Sequence, residues 1–252
     1  MSTSPTHEQE LVLHLPTPSG AGPDQDGEWC EVITPEGRRR LRFHDYAEIF
    51  SMPGLYERLF AEALQCTSPE TVRALLQDIL ARRDQAPEDL AVLDIGAGNG
   101  MVGAELAEMG AGTIVGVDIL PEAADAAERD RPGIYDDYRV VDLTDPPAAD
   151  HEALSGAGFN CLTSVAALGF GDMPPEAFSQ AFDYLADGGL LAFTIKERFT
   201  QAHADESGFS RLLRELHAGD RLETLVEHRY QHRLSVGGDP LHYVAYVAEK
   251  QG

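Results

Sequence analysis

A parallel β-sheet covered by helices on both faces is the fold class this sequence predicts, and three observations predict it. From residue 90 onward, short apolar runs alternate with helical stretches, the order that an α/β sheet requires. One run, Val92-Leu93-Asp94-Ile95, opens directly into the turn Gly96-Ala97-Gly98-Asn99-Gly100 and then a helix. The chain closes with two longer runs, Leu222–Leu234 and Leu241–Ala248, joined by Gly237-Gly238-Asp239-Pro240, which read as a terminal hairpin.

Taken in order, residues 1–28 are rich in Ser, Thr, Pro, Gly and Asp and are expected to form a mobile tail. Trp29 to Phe43 reads as a hairpin with Thr34-Pro35-Glu36-Gly37 as its turn. His44 to Gln65 carries Tyr46, Ile49, Phe50, Leu55, Leu59 and Phe60 at helical spacing, interrupted near Pro53-Gly54. Ser68-Pro69-Glu70 starts another helix, with Ser68 as its cap and Val72, Leu75, Leu76, Ile79 and Leu80 as its apolar face. Residues 29–87 are thus expected to make an N-terminal hairpin and helical cap, and 88–252 the main domain.

Within that domain, Ala91–Ile95 is the first strand, followed by a helix from about Asn99 to Met109. Thr113–Val117 is the second, before the alanine-rich helix Pro121–Asp130. Tyr138–Val141 ends the third, and Asn160–Ala166 is the fourth, leading to a helix from Pro174 or Pro175 to Ala186. Gly188-Gly189 turns into the fifth, Leu190–Ile195, and Ser207–His217 is amphipathic. Asp145-Pro146-Pro147 follows the third strand and reads as a loop.

The glycine turn carries the chemistry. Glycines at 96, 98 and 100 remove the Cβ atoms that would hold a ligand away from the backbone, and N–H groups at a helix start suit an anionic group. Asp118 ends the second strand about twenty residues beyond the turn, where a carboxylate can take both hydroxyls of a ribose. The pattern is that of an adenosine-type cofactor site. A nicotinamide fingerprint wants its third glycine where Met101 stands and has no use for an acid at Asp94, which would crowd a pyrophosphate. Asp94 better suits the cationic amine of a methionine tail.

On these residues the chain resembles the class I S-adenosylmethionine (SAM)-dependent methyltransferases. Val92 to Gly100 matches their first motif, Val115-Gly116-Val117-Asp118-Ile119 the second, and Val140-Val141-Asp142-Leu143 the third, where an acid meets the adenine amino group. The resemblance implies a Rossmann-like seven-stranded sheet of order 3-2-1-4-5-7-6 with the last strand antiparallel, which the terminal hairpin fits. It implies SAM as cofactor, S-adenosylhomocysteine as product, and a site formed by Asp94, Gly96, Ala97, Gly98, Asn99, Gly100, Asp118, Ile119, Asp142 and Leu143. The stretch Asp172-Met173-Pro174-Pro175-Glu176-Ala177-Phe178 and the pair Gly188-Gly189 resemble the small-molecule and uncharacterised branches.

The acceptor is expected between the ends of the fourth and fifth strands and the N-terminal helices. There His44, Asp45, Tyr46 and Phe50 read as a lid whose aromatic faces can cover a sulfonium, or equally as helix packing. If the acceptor is a protonated amine or a hydroxyl, a general base is needed, and Glu197, His44 and Asp172 are the candidates. The structural alternative for Glu197 is a salt bridge with an adjacent arginine, and for His44 a solvated loop position. The fourth strand lacks the Asn/Asp-Pro-Pro-aromatic element of amino-methylases of DNA or glutamine, and the fifth lacks the Asp-Asn pair of the magnesium-dependent catechol type. His228 and His232, four apart on a strand, do not make a metal site without a third ligand.

Composition narrows the partners. Forty-three acidic against nineteen basic residues give a net charge of −24 at pH 7, which argues against nucleic acid and favours a neutral or cationic acceptor. Lys196 and Lys250 are the only lysines, a pattern that fits either a high-salt environment or a GC-rich genome. Cys30, Cys66 and Cys161 are widely spaced and point to neither a disulfide framework nor zinc. No basic-then-apolar leader and no membrane-length apolar run occur, so a cytoplasmic protein is expected. The function expected is metal-independent methylation of a small molecule. Three alternatives stay open: methylation of a protein, a non-catalytic SAM-binding partner subunit, and an NAD(P)-dependent oxidoreductase.

Overall fold

The computed structural model describes residues 11–16, 25–35, 37–169, 171–200, 205 and 207–252. Strands β1 (Val12–His14), β2 (Trp29–Thr34) and β3 (Gly37–Arg42) form a small antiparallel sheet in the order β1-β2-β3. After them come α1 (Tyr46–Ser51), a π-helix over Glu57–Ala63, and α2 (Ser68–Arg82). The main sheet is built from β4 (Ala91–Ile95), β5 (Thr113–Asp118), β6 (Asp137–Val140), β7 (Cys161–Ser164), β8 (Leu190–Lys196), β9 (Leu222–Leu234) and β10 (Pro240–Lys250). Its helices are α3 (Met101–Met109), α4 (Pro121–Asp130), α5 (Ala148–Gly156), α6 (Pro175–Tyr184) and α7 (Phe209–Ala218).

The sheet order is β6-β5-β4-β7-β8-β10-β9, with β10 antiparallel to both its neighbours. Counted from β4, this is the expected 3-2-1-4-5-7-6. Successive strand residues point to opposite faces, so the apolar runs of the central strands feed two cores. Leu93, Ile95, Val115 and Val117 pack with Phe178 and Phe182 of α6 and Leu216 of α7 on one face. Val92, Ile114 and Cys161 pack with Leu76 of α2 and Leu106 of α3 on the other. A third core joins Cys30, Val32 and Leu41 of the small sheet to Leu55 and Leu59, with Val236 from the β9–β10 turn against it.

Several expectations are corrected. Val12–His14 lies in the segment read as tail, yet it pairs with β2, and Glu28 is 1% exposed. A short run of apolar residues and one buried carboxylate anchor what composition alone read as unstructured. The other residues of that segment, 1–10 and 17–24, and Glu36 of the hairpin turn lie outside the described residues. Ser68 is not the cap of α2: Thr67 holds that position, and the Ser68 hydroxyl turns inward to Tyr230 and His232. Helix α5 follows the Asp145-Pro146-Pro147 loop, where its thin apolar face (one buried residue, Leu154) left little periodicity to read. The cysteines are free, and no described helix is long and apolar enough to cross a membrane.

Candidate functional site

The ends of β4 and β5 meet at the glycine turn. Gly96, Gly98 and Gly100 all have positive φ, at 67°, 54° and 84°. A Cβ on Gly96 would stand 2.7 Å from that of Ala167, and one on Gly98 would stand 3.2 Å from the Phe50 ring, so both positions require glycine. Four of the turn's own N–H groups are bonded within the fold. Gly96 and Ala97 donate to the Val117 carbonyl, Gly100 to that of Ala97, and Gly98 to the Asp118 carboxylate. With those groups committed inside the fold, the turn suits a ligand that approaches closely without a phosphate.

Asp94 is level with Thr163 across the sheet. One of its oxygens accepts from the Thr163 hydroxyl at 2.6 Å and the other from the Tyr135 hydroxyl at 2.8 Å. It is 1% exposed, so it lies beneath the site rather than on its wall. Burial raises its pKa to about 6, against the two hydroxyls, which lower it. Tyr138, on β6, donates to the Gly98 carbonyl and ties the turn to the sheet from the other side. Asp118 accepts from the N–H groups of Gly98 and Leu120, both at 3.0 Å, and burial raises its pKa too. A carboxylate has further lone pairs, so these bonds leave it able to accept from a diol.

Two adjoining cavities open over this floor. The larger, about 550 Å³, is bounded by Asp118, Ile119, Asp142 and Leu143 on one side and by Tyr46 and Phe50 of α1 on the other. It falls in the size range of cofactor sites. Asp142 is held by the Thr144 N–H and hydroxyl. Gly96 and Gly98 face both cavities, Ala97 and Asn99 only the smaller one, while Gly100 lies outside both as the N-cap of α3. The Asn99 side chain is buried and turns to Asp130 at 3.4 Å.

The smaller cavity, about 80 Å³, runs from the glycine turn toward β9 and β10. Phe43, Tyr46, Tyr56 and Phe60 give it aromatic walls, and Gln25, His232, Arg233 and Tyr243 give it polar ones. Those aromatics form a continuous row: Tyr46 stacks on Phe50, Phe50 on Tyr56, and Tyr56 meets Phe60. The row exists because α1 closes onto α4, where the small side chains of Ala123 and Ala126 admit the Phe50 ring. Phe60 reaches it from the π-helix, a rare conformation that recurs at functional sites. His44, Asp45, Tyr46 and Phe50 all border the larger cavity, with Asp45 engaged by Arg42.

His44 and Asp172 come together. The His44 Nδ1 lies 2.8 Å from Asp172 Oδ2, and both residues face both cavities at their junction. Tyr46 meets the His44 ring edge-on at 5.7 Å. Between the cavities Ala166 takes a left-handed φ of 56°, a strained setting for a non-glycine residue, fixed by its N–H bond to Thr194 Oγ1. Glu197 is corrected: it stands on the outer side of β8, paired with Arg229 of β9 at 3.1 Å, and borders neither cavity. The bland reading of a salt bridge holds for it, though with an arginine two strands away rather than one next in sequence. Phe170 lies outside the described residues. His228 is exposed and stacks on Tyr230, whereas His232 is buried, so the two face different surroundings.

Arg233, Tyr243 and Gln25 were not legible as site residues. They come from the terminal hairpin and from the segment read as tail, and only the folded sheet brings them over the strand ends.

A methyltransferase-domain family model matches residues 61–233. No curated protein matches the sequence. Among solved structures, N-methyltransferase NodS from Bradyrhizobium japonicum WM9, in complex with S-adenosylhomocysteine, is similar at 17% identity. The match covers 73% of this chain and 87% of that one, with a TM-score of 0.51. Magnesium protoporphyrin IX methyltransferase from Synechocystis PCC 6803, with bound SAM, is similar at 14% identity over 73% and 79% of the two chains, TM-score 0.50. A SAM-dependent methyltransferase from Methanosarcina mazei is similar at 18% identity over 68% and 97%, TM-score 0.51. At these identities the likeness is one of fold.

Proposed function

This chain belongs to the class I SAM-dependent methyltransferases, and from that premise we propose that it methylates a small molecule seated in the smaller cavity beside His44 and Asp172. The observation that carries this reading is the joining of two cavities of unequal size at the His44–Asp172 pair. The larger has the dimensions and the carboxylates for an adenosyl group; the smaller is walled by aromatic rings and suits a compact acceptor.

The cofactor is SAM. When bound, it supplies an electrophilic methyl carbon, whose bonding pair to sulfur stays with sulfur as the methyl group departs. The residues of the chain do the rest. Asp118 takes the ribose hydroxyls and Asp142 with Leu143 the adenine, while Gly96 and Gly98 let the ligand lie against the backbone. Asp94, from beneath, supplies negative charge toward a methionine ammonium. The ring faces of Tyr46 and Phe50 exclude water and attract positive charge. His44, oriented by Asp172, takes the proton that an acceptor hydroxyl or ammonium must lose as its lone pair bonds to carbon.

Calorimetric titration with SAM, S-adenosylhomocysteine and NADH tests the cofactor half. Binding of both adenosyl ligands without NADH is expected, and Asp118→Ala should weaken it by about 1–3 kcal/mol. Saturable NADH binding with silent adenosyl ligands would overturn the reading. His44→Ala should leave S-adenosylhomocysteine affinity intact while abolishing transfer from labelled SAM into the small-molecule fraction of a lysate. Label appearing in protein instead would favour a macromolecular acceptor.

A further inference from the structure

The polar end of the smaller cavity is built by a fault in the sheet. Along β9 and β10, Arg233 pairs with Leu241 and Gln231 with His242, so His232 is an extra residue, a β-bulge. The alternation of faces breaks there, and His232 and Arg233, neighbours in sequence, are both turned inward at 5% and 4% exposure. The backbone displaced by the bulge is taken up by the stretch before α2: Thr67 N–H donates to the His232 carbonyl and Leu234 N–H to that of Leu64. Bulges that re-aim side chains recur beside active sites.

The groups so aimed are hydrogen-bond donors. Arg233 donates from Nη2 to Glu28 at 2.6 Å and from Nη1 to the Leu234 carbonyl at 2.8 Å. Its other N–H bonds have no partner among the described residues, and Glu28 lies behind it, away from the cavity. The positive end of this buried ion pair therefore faces inward. Tyr243 accepts from Gln25 Nε2 at 2.8 Å, which leaves its own hydroxyl hydrogen free to donate, and burial keeps it protonated, with its pKa raised to about 12.

His232 completes the set. The Ala166 N–H donates to Thr194 Oγ1, Thr194 bonds Tyr230, Tyr230 lies 2.5 Å from Ser68 Oγ, and Ser68 lies 2.6 Å from His232 Nδ1. Ser68 Oγ is thereby placed to donate to Nδ1. Burial and the adjacent Arg233 keep the ring neutral, and with Ser68 donating to Nδ1 the ring carries its proton on Nε2.

We propose that the smaller cavity seats a methyl acceptor bearing a carboxylate, held by Arg233, His232 and Tyr243, with the group to be methylated directed back to His44 and Asp172. The proposal rests on the methyltransferase reading and names its substrate class. The cavity, about 80 Å³, suits a compact acceptor. The other carboxylate that could lie here is that of the cofactor's own methionine. Titration of protein already saturated with S-adenosylhomocysteine, which brings that carboxylate with it, separates the two. The local donors outweigh the negative charge of the whole molecule, which by itself favours neutral or cationic acceptors.

The test is calorimetry on protein saturated with S-adenosylhomocysteine, titrated with glycolate, its neutral amide glycolamide, and ethanolamine. Saturable glycolate binding at millimolar concentration is expected, with the other two at least about tenfold weaker. Two variants probe the seat: Tyr243→Phe, which removes one donor, and Glu28→Gln with Arg233→Gln together, which leaves no buried charge unpaired. Each should weaken glycolate by about tenfold and leave S-adenosylhomocysteine affinity unchanged. If the double variant fails to fold, Tyr243→Phe decides alone. Equal binding of glycolate and glycolamide, absence of saturable glycolate binding, or glycolate affinity unchanged in a folded variant would overturn the proposal. A parallel loss of S-adenosylhomocysteine affinity would also overturn it, by assigning the seat to the cofactor's carboxylate. Failure of the parent to bind S-adenosylhomocysteine at all would instead remove the methyltransferase reading and this inference with it.

Discussion

Asp94 shows how a single buried charge can be held at the expense of stability. Its carboxylate is enclosed, with only the hydroxyls of Thr163 and Tyr135 in place of water, and its pKa is raised from 3.8 to about 6. A raised acid pKa in the folded state means that folding favours the protonated form. The contribution to stability is greatest below pH 4 and is lost as pH rises through about 6, so at pH 7 the ionised group works against the fold. Asp94→Asn, which keeps the shape and removes the charge, should therefore unfold later in urea than the parent at pH 7, by on the order of 1–3 kcal/mol. The gap should close as pH falls from 6 toward 4. Cofactor affinity should move the other way: weakened in the variant at pH 7, and weakened in the parent as pH drops below about 6 and Asp94 takes up a proton. Paired denaturation and calorimetry across this range check both halves. A variant that is no more stable at pH 7 would show that the two hydroxyls offset the desolvation fully.

At the scale of elements, the aromatic cover over the glycine turn follows from what α4 lacks. Alanines at 123 and 126 let α1 come close, Arg129 donates to the Phe50 carbonyl, and the Phe50 ring is pressed over Gly98. Phe50→Ala should leave the sheet intact and loosen this cover, raising the dissociation rate of S-adenosylhomocysteine several-fold with a smaller change in association rate. Gly98→Ala should do worse, because a left-handed residue and a crowded ring act together, at about 1–2 kcal/mol for the backbone alone. Stopped-flow release of the ligand separates the two effects, and an unchanged off-rate in Phe50→Ala would mean that α1 is packing and not a lid. Much of this was legible in the sequence, because the glycine turn, Asp118 and the helical spacing of Tyr46 and Phe50 are local patterns. The pairing of His44 with Asp172 spans 128 residues and has no local signature, so the sequence could nominate the two residues but not join them. Glu197 was nominated by its place at a strand end, but the end of β8 turns it outward to Arg229. Arg233 went unseen because period-two alternation puts it on the opposite side from His232, and the bulge that cancels the alternation depends on contacts with residues 64–67.

At the scale of the whole molecule, negative charge is far in excess. If every one of the nineteen basic residues paired with an acid, 43 − 19 = 24 acids would still lack a counter-charge. Many of the pairs that do form, such as Arg38–Glu31 and Arg221–Asp183, are exposed and contribute little each. Folding gathers the unpaired acids onto one surface, and their mutual repulsion extends over the screening length, about 10 Å at 0.1 M salt and 3 Å at 1 M. Unfolding spreads them out, so low salt should penalise the folded state more than the unfolded chain. Thermal unfolding at pH 7 should accordingly move upward as potassium chloride is added, steeply below 0.1 M and then levelling, by about 3–6 °C for about 1–2 kcal/mol. Sodium chloride at equal ionic strength should give the same curve, since screening is indifferent to the monovalent cation, whereas a specific cation site would separate the two. The gain should shrink near pH 4, where the carboxylates begin to take up protons. A melting temperature indifferent to salt would mean that local pairs and hydration already offset the repulsion. The acidic surface would then have no role in holding the fold, and its lysine-poor composition would be a matter of codon usage and not of adaptation to salt.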